Sequence, residues 1–251
     1  MSLTRQDRLQ ALGLWPTWHL RVIAPLEAEA AEPVPAVEAT AVLSPVPPAS
    51  PPSLAVQNEQ AVPLVEMGWD ALNAEISACT RCDLAKTRTQ AVPGVGDTRA
   101  EWLFVGEAPG ANEDRLGEPF VGDAGKLLDA ILAAIGLARG NNVFIANVLK
   151  SRPPGNRDPK PEEVAACLPF LERQIELIQP RLIVALGRFA AQSLLATDTP
   201  IGRLRGQVHR YHGVPLVVTY HPAYLLRNPM DKAKVWEDLV LARDTMNALK
   251  S

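Results

Sequence analysis

The sequence predicts an α/β sandwich of three layers, in which helices cover both faces of a central, mainly parallel, four-stranded sheet. Short apolar runs alternate with segments of helical periodicity from residue 64 onward, as is typical of this class. The runs are apolar at consecutive positions, which indicates strands that are covered on both faces. Glycine-rich or polar motifs follow the runs directly, as they do at the carboxyl edge of such sheets.

Each predicted strand is a run of adjacent apolar residues that is too short to form a buried helix. The four runs are Trp102–Val105, Val143–Ile145, Leu182–Leu186 and Leu216–Thr219.

The predicted helices fill the intervals between these runs and follow the last of them. Pro161 suits the first turn of a helix, and Glu162 and Glu163 suit the positive end of its dipole. The helices are predicted near Asp123–Ile135, Pro161–Ile178, Arg188–Leu195 and Lys232–Ala248.

Two further segments precede the predicted domain of residues 64–251. Residues 24–63 contain nine prolines, ten alanines and no aromatic residue, so we interpret them as a disordered linker. Residues 1–23 carry leucine and tryptophan at helical spacing. This short peptide is either a tail that docks loosely on its own domain or a peptide that binds a protein partner.

Composition limits the compartment and the partners. The net charge is −3, and residues 64–251 hold 22 basic and 22 acidic side chains, so nucleic acid would have to bind local basic patches. No apolar stretch approaches the ~18 residues that span a bilayer, and the charged N-terminus does not look like a secretory signal. We expect a cytoplasmic monomer without a membrane partner. Three cysteines, an odd number, argue against a disulfide framework and leave metal binding open.

Four motifs follow the predicted strands and are expected to share one pocket. Residues 106–110 follow the first strand, and Asn147 ends the second. Gly187 and His221 follow the third and the fourth. Because ligands bind at the carboxyl ends of strands in open α/β sheets, these motifs should converge.

The motifs have structural as well as functional interpretations. The turn at residues 106–110 is either a plain strand–helix connection or a place where Glu107 positions a water. A phosphate-binding loop is disfavoured, because the carboxylate of Glu107 would repel a phosphate. Phe120 is either core packing or a platform for a base, worth about 1–3 kcal/mol. His221 is either structural or functional. The apolar pair and Arg227 behind it suit insertion into stacked bases and phosphate binding.

Two clusters of cations flank the predicted pocket. They are either ordinary solvated surface or a groove that follows a nucleic-acid backbone. They comprise Lys150, Arg152, Arg157 and Lys160 in a proline-rich loop, and Arg203, Arg205 and Arg210 farther along.

Together these motifs resemble the family-4 uracil-DNA glycosylases, a bacterial and archaeal class that carries an iron–sulfur cluster. The resemblance runs from about Ile76 to Leu249. It rests on GEAPG, GEPFVGDAGKLLD, FIANVLKSRPPGNRDP and HPAYLLR, which occur in the family's order and spacing. It implies a monofunctional DNA-repair enzyme that flips uracil out of single- or double-stranded DNA and hydrolyses its glycosidic bond. Such an enzyme would work in the bacterial cytoplasm, at the nucleoid through DNA.

The resemblance also implies a role for each site residue. Glu107 would position the attacking water, and His221 would stabilise the uracil O2. Leu225 or Leu226 would fill the gap left in the DNA. The residues implied to bind uracil are Ala108, Glu113 at the C5 edge, Phe120 as the stacking ring, and Asn147. The cations implied to contact DNA are Lys150, Arg152, Arg157 and Arg227.

A rival from the same superfamily is a non-catalytic or covalent uracil-DNA-binding protein. Such relatives carry Gln at the position of Ala108 and an additional basic loop that bears a histidine. The stretch of residues 203–212 is only superficially similar to that loop. A nucleotide-binding protein, with GEAPG as its phosphate loop, is a third reading.

In the family, four cysteines hold a 4Fe–4S cluster. Three of these positions correspond to Cys79, Cys82 and Cys167, and the fourth is Ser151, which precedes Cys167 by 16 residues. Since these clusters prefer thiolates, three outcomes are open. Ser151 ligates through oxygen, the site holds a three-iron or labile cluster, or no cluster binds.

Overall fold

The computed structural model describes residues 63–250 and contains one six-stranded sheet. Its strand order is β1-β3-β2-β4-β6-β5, with the four central strands parallel and both edge strands antiparallel to their neighbours. The strands are β1 Val95–Gly96, β2 Trp102–Gly106, β3 Val143–Asn147, β4 Leu182–Leu186, β5 Val208–Tyr211 and β6 Val214–Thr219.

Helices connect the strands, and a long one closes the fold. They are α1 Trp69–Ala78, α2 Ala111–Leu116, α3 Asp123–Ala134, α4 Pro161–Ile178, α5 Arg188–Leu195, α6 Ile201–Leu204, α7 Pro222–Arg227 and α8 Lys232–Lys250.

Alternate residues of the central strands enter two separate cores. Leu103 and Val105 of β2 face the core that is covered by α4 and α5. Trp102 and Phe104 of the same strand face the core that is covered by α3 and α8. Because a strand points successive side chains to opposite faces, one apolar run serves both cores. The predicted three-layer α/β arrangement is confirmed.

All four predicted strands are present and parallel, but the predicted strand number is too low because two edge strands were missed. The strand β1 has only two residues. The strand β5 leaves Val208 and Arg210 exposed and includes His209, so it lacks the apolar run that marks a central strand.

The described residues, 63–250, cover the predicted domain of residues 64–251 apart from its last residue, and the bounds of that domain stay a prediction. The predicted peptide of residues 1–23 lies outside them, and so does the predicted linker of residues 24–63 apart from Pro63. Among residues 63–250, no helix has both the length and the apolar character needed to cross a bilayer.

Candidate active site

Two candidate residues, Asn147 and Phe120, lie together at Gly106, where β2 and β3 end. Gly106 pairs with Asn147 across these strands. A Cβ on Gly106 would lie 2.3 Å from the Asn147 Oδ1 and 2.6 Å from the Phe120 Cζ. Only glycine leaves room for both groups. The ring of Phe120 in turn lies 5.4 Å from the ring of His221, with 29° between their planes. The expected convergence of an aromatic ring, an amide and an imidazole is therefore present.

The loop that carries Phe120 is held from outside by a residue that the motifs did not single out. Arg139 donates to the carbonyl oxygens of Pro119, at 2.9 Å, and of Phe120, at 2.8 Å. Phe120 itself has a positive φ of 56°, which is uncommon for a bulky residue. Arg139 thus compensates for a strained backbone at the position of the stacking ring.

The side-chain oxygen of Asn147 lacks the partner that a buried acceptor needs. Asn147 is 2% exposed, and within the described part of the chain its Oδ1 accepts no hydrogen bond. Leaving a buried acceptor unpaired costs about 1–3 kcal/mol. Because this oxygen lies next to the Phe120 ring, the site is suited to a ligand that offers an N–H in the plane of a stacked ring.

The position of His221 is determined by helix α7, whose N-cap it forms. The backbone N–H of Ala223 donates to the His221 Nδ1 at 3.1 Å, so a neutral ring carries its proton on Nε2. Burial, and to a smaller extent the charge of Arg227, lower the pKa of His221 to about 4 against the opposing effect of Glu113. Gly187, with φ +92°, allows close approach because a Cβ there would lie 2.9 Å from the His221 Cβ. At neutral pH the imidazole is an uncharged N–H donor.

Glu107 leaves the end of β2 as a half-buried carboxyl group. Burial, and to a smaller extent the charge of Asp158, raise the pKa of Glu107 to about 7 against the opposing effect of Arg188. Asp158 and Arg188 form an ion pair of 3.2 Å. Asp158 lies within the third sequence motif and Arg188 at the start of α5, but the sequence analysis predicted no role for either residue. A carboxyl group that titrates near neutral pH is suited to general-base chemistry.

Glu113 connects the turn at residues 106–110 with the loop that carries Phe120. Its carboxylate accepts backbone N–H groups from Gly110 at 3.1 Å, Val121 at 3.0 Å and Gly122 at 3.2 Å. Three such bonds hold the Phe120 loop against the start of α2. A place at the C5 edge of a base stays a prediction for Glu113. Ala108 packs against the apolar cluster beneath the turn, and its contact with a base is likewise untested.

The DNA contact predicted for Lys150 is wrong. Lys150 is 1% exposed, and its ammonium donates to the Asn147 backbone oxygen at 2.8 Å and to the Gln174 Oε1 at 2.6 Å. Gln174 lies on α4 and donates to Pro93 O at 2.8 Å. The side chain therefore points into the interior below Asn147, where burial lowers the pKa of Lys150 to about 8.

Of the two leucines predicted to enter DNA, the structure rules out Leu225. Leu225 is 1% exposed and packs with Val235 and Leu239 of α8. Leu226, its neighbour on α7, is 50% exposed. Adjacent residues of a helix point in different directions, so only Leu226 remains a candidate.

The other cations that were predicted to contact DNA differ in how much of the side chain is free to do so. Arg227 is exposed at the end of α7. Arg152 donates to Asn156 Oδ1 at 2.7 Å, and Arg157 is paired with the buried carboxylate of Glu163. In the second cluster, Arg205 is half-buried and its Nε donates to Asp238 Oδ2 at 3.0 Å.

The cysteines lie at one apolar cluster beside these loops. Cys79 and Cys82 pack on the cluster that contains Cys167, Leu149 and Phe170, and all three cysteines are free thiols. Among residues 63–250, no three His, Cys, Asp or Glu side chains are grouped for one metal ion. Three thiols on one apolar surface have the softness that iron–sulfur clusters require.

Comparisons with known proteins point to one family. Residues 93–240 match the family model "Uracil DNA glycosylase superfamily", a range that includes all four motifs but not Cys79 or Cys82. A Type-4 uracil-DNA glycosylase of Archaeoglobus fulgidus is 52% identical over 168 residues, which cover 64% of this chain and 84% of that protein. A Type-4 enzyme of Sulfurisphaera tokodaii is 45% identical over 184 residues, 70% of this chain and 83% of its own. One of Saccharolobus solfataricus is 43% identical over 188 residues, 71% and 87% respectively.

Proposed function

Because this chain belongs to the uracil-DNA glycosylase superfamily, we propose that it excises uracil from DNA and leaves an abasic site. The observation that carries the proposal is the unpaired, buried Oδ1 of Asn147 beside the ring of Phe120. Uracil carries an N–H at position 3 in the plane of its ring, so it offers this oxygen the donor that it lacks. Cytosine carries a lone pair at that atom, which would face the oxygen with repulsion.

The base must leave the duplex before it can enter this site, because a stacked base is out of reach. Phe120 then stacks on it, and Leu226 fills the gap that it leaves. Arg227, Arg152 and Arg157 lie near the phosphates of single- or double-stranded substrates. Glu113 excludes the methyl group of thymine at the C5 edge, and Ala108 contributes to the floor of the site.

Hydrolysis transfers the electron pair of the glycosidic bond to uracil N1 while water adds to C1′. Negative charge accumulates on uracil, and the neutral His221 Nε2–H donates to its O2. Positive charge accumulates on the sugar, where the Glu107 carboxylate and the DNA phosphates stabilise it. Glu107 also orients the water and accepts its proton. The protein therefore acts as a monofunctional N-glycosyl hydrolase.

Cys79, Cys82 and Cys167 hold a 4Fe–4S cluster in this proposal, with Ser151 at the fourth position. When bound, the cluster supplies a structural cross-link and takes no part in bond cleavage. It would join the loop after α1 to α4, which carries Cys167. The Lys150 N–H donates to Cys167 Sγ at 3.1 Å and would link the segment that follows Asn147 to this site.

The remaining assignments concern the rest of the chain and its setting. Residues 24–63 act as a linker to the peptide of residues 1–23, which either docks on its own domain or binds a protein partner. The enzyme works as a monomer at the nucleoid of a bacterial cytoplasm, where its DNA substrate is found.

The function is tested by incubating the purified chain with uracil-containing oligonucleotides, followed by alkaline strand scission. We expect cleavage at uracil in single- and double-stranded substrates, and none at thymine or cytosine in matched oligonucleotides. Persistence of a protein–DNA complex in denaturant, without release of uracil, would instead indicate a covalent binding protein.

The single-turnover rate should rise with pH through a single limb centred near 7. Because the pKa of Glu107 is raised to about 7, its carboxylate is protonated and inactive below that pH and ionised above it. His221, with a pKa of about 4, stays a neutral donor across this range and adds no second limb. Glu107→Gln should be slow and independent of pH. A limb that persists in this variant would assign the titration to another group.

The salt dependence of DNA binding should separate Arg227 from Lys150. Arg227→Ala should reduce the slope of log affinity against log salt by about one, since one phosphate contact is lost. Lys150→Met should leave that slope at the wild-type value, because the ammonium is buried and reaches no phosphate. Fluorescence anisotropy with a uracil-containing duplex at several salt concentrations measures both. A reduced slope in Lys150→Met would contradict the interior position of this side chain.

A further inference from the structure

Ser151 stands at the fourth ligand position, and its hydroxyl already has a partner. Ser151 is 5% exposed, and its Oγ accepts a hydrogen bond from Arg88 Nη1 at 2.8 Å. A hydroxyl oxygen that receives a guanidinium N–H has less electron density to offer a metal than a thiolate has. Oxygen is also the harder donor, whereas iron–sulfur clusters favour soft sulfur.

Arg88 cannot be moved from Ser151 without losing other bonds. Its Nη2 donates to the carbonyl oxygens of Ser77, at 2.7 Å, and of Cys79, at 3.0 Å. The guanidinium is a planar, rigid fork, so bonds to both nitrogens hold it in one orientation. Arg88 thereby connects the loop of Cys79 with Ser151, the two segments that a fourth ligand would join through the cluster.

The backbone beside Ser151 also contacts the cysteine site. The N–H of Lys150 donates to Cys167 Sγ at 3.1 Å. Ser151 therefore stays next to Cys167 whether or not its oxygen binds iron. The side chain has no need to ligate in order to keep this segment in place.

We propose that Ser151 is not a ligand, and that the 4Fe–4S cluster is held by Cys79, Cys82 and Cys167 alone. One iron then has no side chain of this protein and is completed by water or another small ligand. A chelator removes it as Fe²⁺ from the [4Fe–4S]²⁺ core and leaves [3Fe–4S]⁰, with no electron gained or lost. The inference rests on the proposed function, from which the cluster is taken.

The test counts iron and sulfide in the full chain after anaerobic reconstitution, before and after treatment with a chelator. In the wild type we expect the chelator to remove about one iron in four and leave all the sulfide. Ser151→Ala should lose iron to the same extent and at the same rate. Ser151→Cys should keep all its iron, because the added thiolate completes the ligand set. Magnetic resonance of the chelated samples identifies the three-iron core.

Two results would overturn the inference. A wild-type protein that keeps its iron while Ser151→Ala loses it would make Ser151 a ligand. Failure of the wild type to take up iron and sulfide under conditions that load Ser151→Cys would show that three cysteines do not suffice. Uracil release, measured on the same samples, distinguishes this failure from that of the proposed function. An active protein with the wrong iron count overturns only the inference, and an inactive one with the expected count overturns only the function.

Discussion

His221→Asn should lower the single-turnover rate of uracil release by about 10²–10³-fold, as loss of a donor to a developing oxyanion does. Affinity for uracil-containing DNA should change little, because the bond to O2 strengthens mainly as charge develops in the transition state. Asparagine is chosen because it is a good N-cap and can accept the N–H of Ala223, as the His221 Nδ1 does. The variant therefore keeps the start of α7 and loses the Nε2–H.

The measurement is a rapid-quench time course with enzyme in excess, accompanied by a binding titration. His209→Asn is the matched control, since its Nε2 contacts Leu204 O at 2.6 Å on an edge strand away from Phe120 and Asn147. It should retain the wild-type rate. An unchanged rate in His221→Asn would remove this residue from the chemistry. If affinity for DNA falls as much as the rate does, His221 contacts the bound substrate equally in the ground state and in the transition state.

Asn147→Leu should change stability and activity in opposite directions. Leucine has a similar size and removes the unpaired oxygen, so the free energy of unfolding should rise by about 1 kcal/mol or more. Uracil excision should fall by about 10²-fold or more, because the polar edge of the flipped uracil loses the hydrogen bond that the site is built to make with it. Residues that are costly to the fold and necessary to the reaction are characteristic of active sites.

Denaturant unfolding and uracil release measure the two effects. Gln174→Leu is the control, because Gln174 is a buried amide with hydrogen-bond partners: it accepts from Lys150 and donates to Pro93. Its stability should fall. If Asn147→Leu is destabilised in the same way, the Oδ1 has a partner in the folded protein and is not a free acceptor for the N–H of uracil. If it excises uracil at the wild-type rate, the amide does not read the base.

Much of the fold was predictable because the central strands are covered on both faces. A strand such as Leu182–Leu186 must be apolar at every position, and this pattern stands out in the sequence. The edge strands carry no such requirement. The strand β5 is half exposed and tolerates His209 and Arg210, so it resembles a loop in the sequence. The prediction of strands failed where a strand is only partly buried.

The candidate site was predictable for a different reason. Parallel strands end at one edge, so motifs that follow them must come together whatever their distance along the chain. Gly106 with Asn147 and Gly187 with His221 met this expectation. The ring of Phe120, which comes from a loop between two helices, lies next to both pairs. The role of Arg139 could not be predicted, because it binds backbone carbonyl oxygens and the sequence does not show which of these lie near it.

By itself, the sequence determined the layered α/β fold, the edge of the sheet that carries the site, and the residue types gathered there. Only the tertiary structure decided which way individual side chains point. Lys150 turns inward because Gln174 lies 24 positions later on α4, and Leu225 is buried because α8 packs over α7. The physical reason is that periodicity records local burial within one element. The direction of a side chain at the end of an element depends on partners that are distant in the chain and close only after folding.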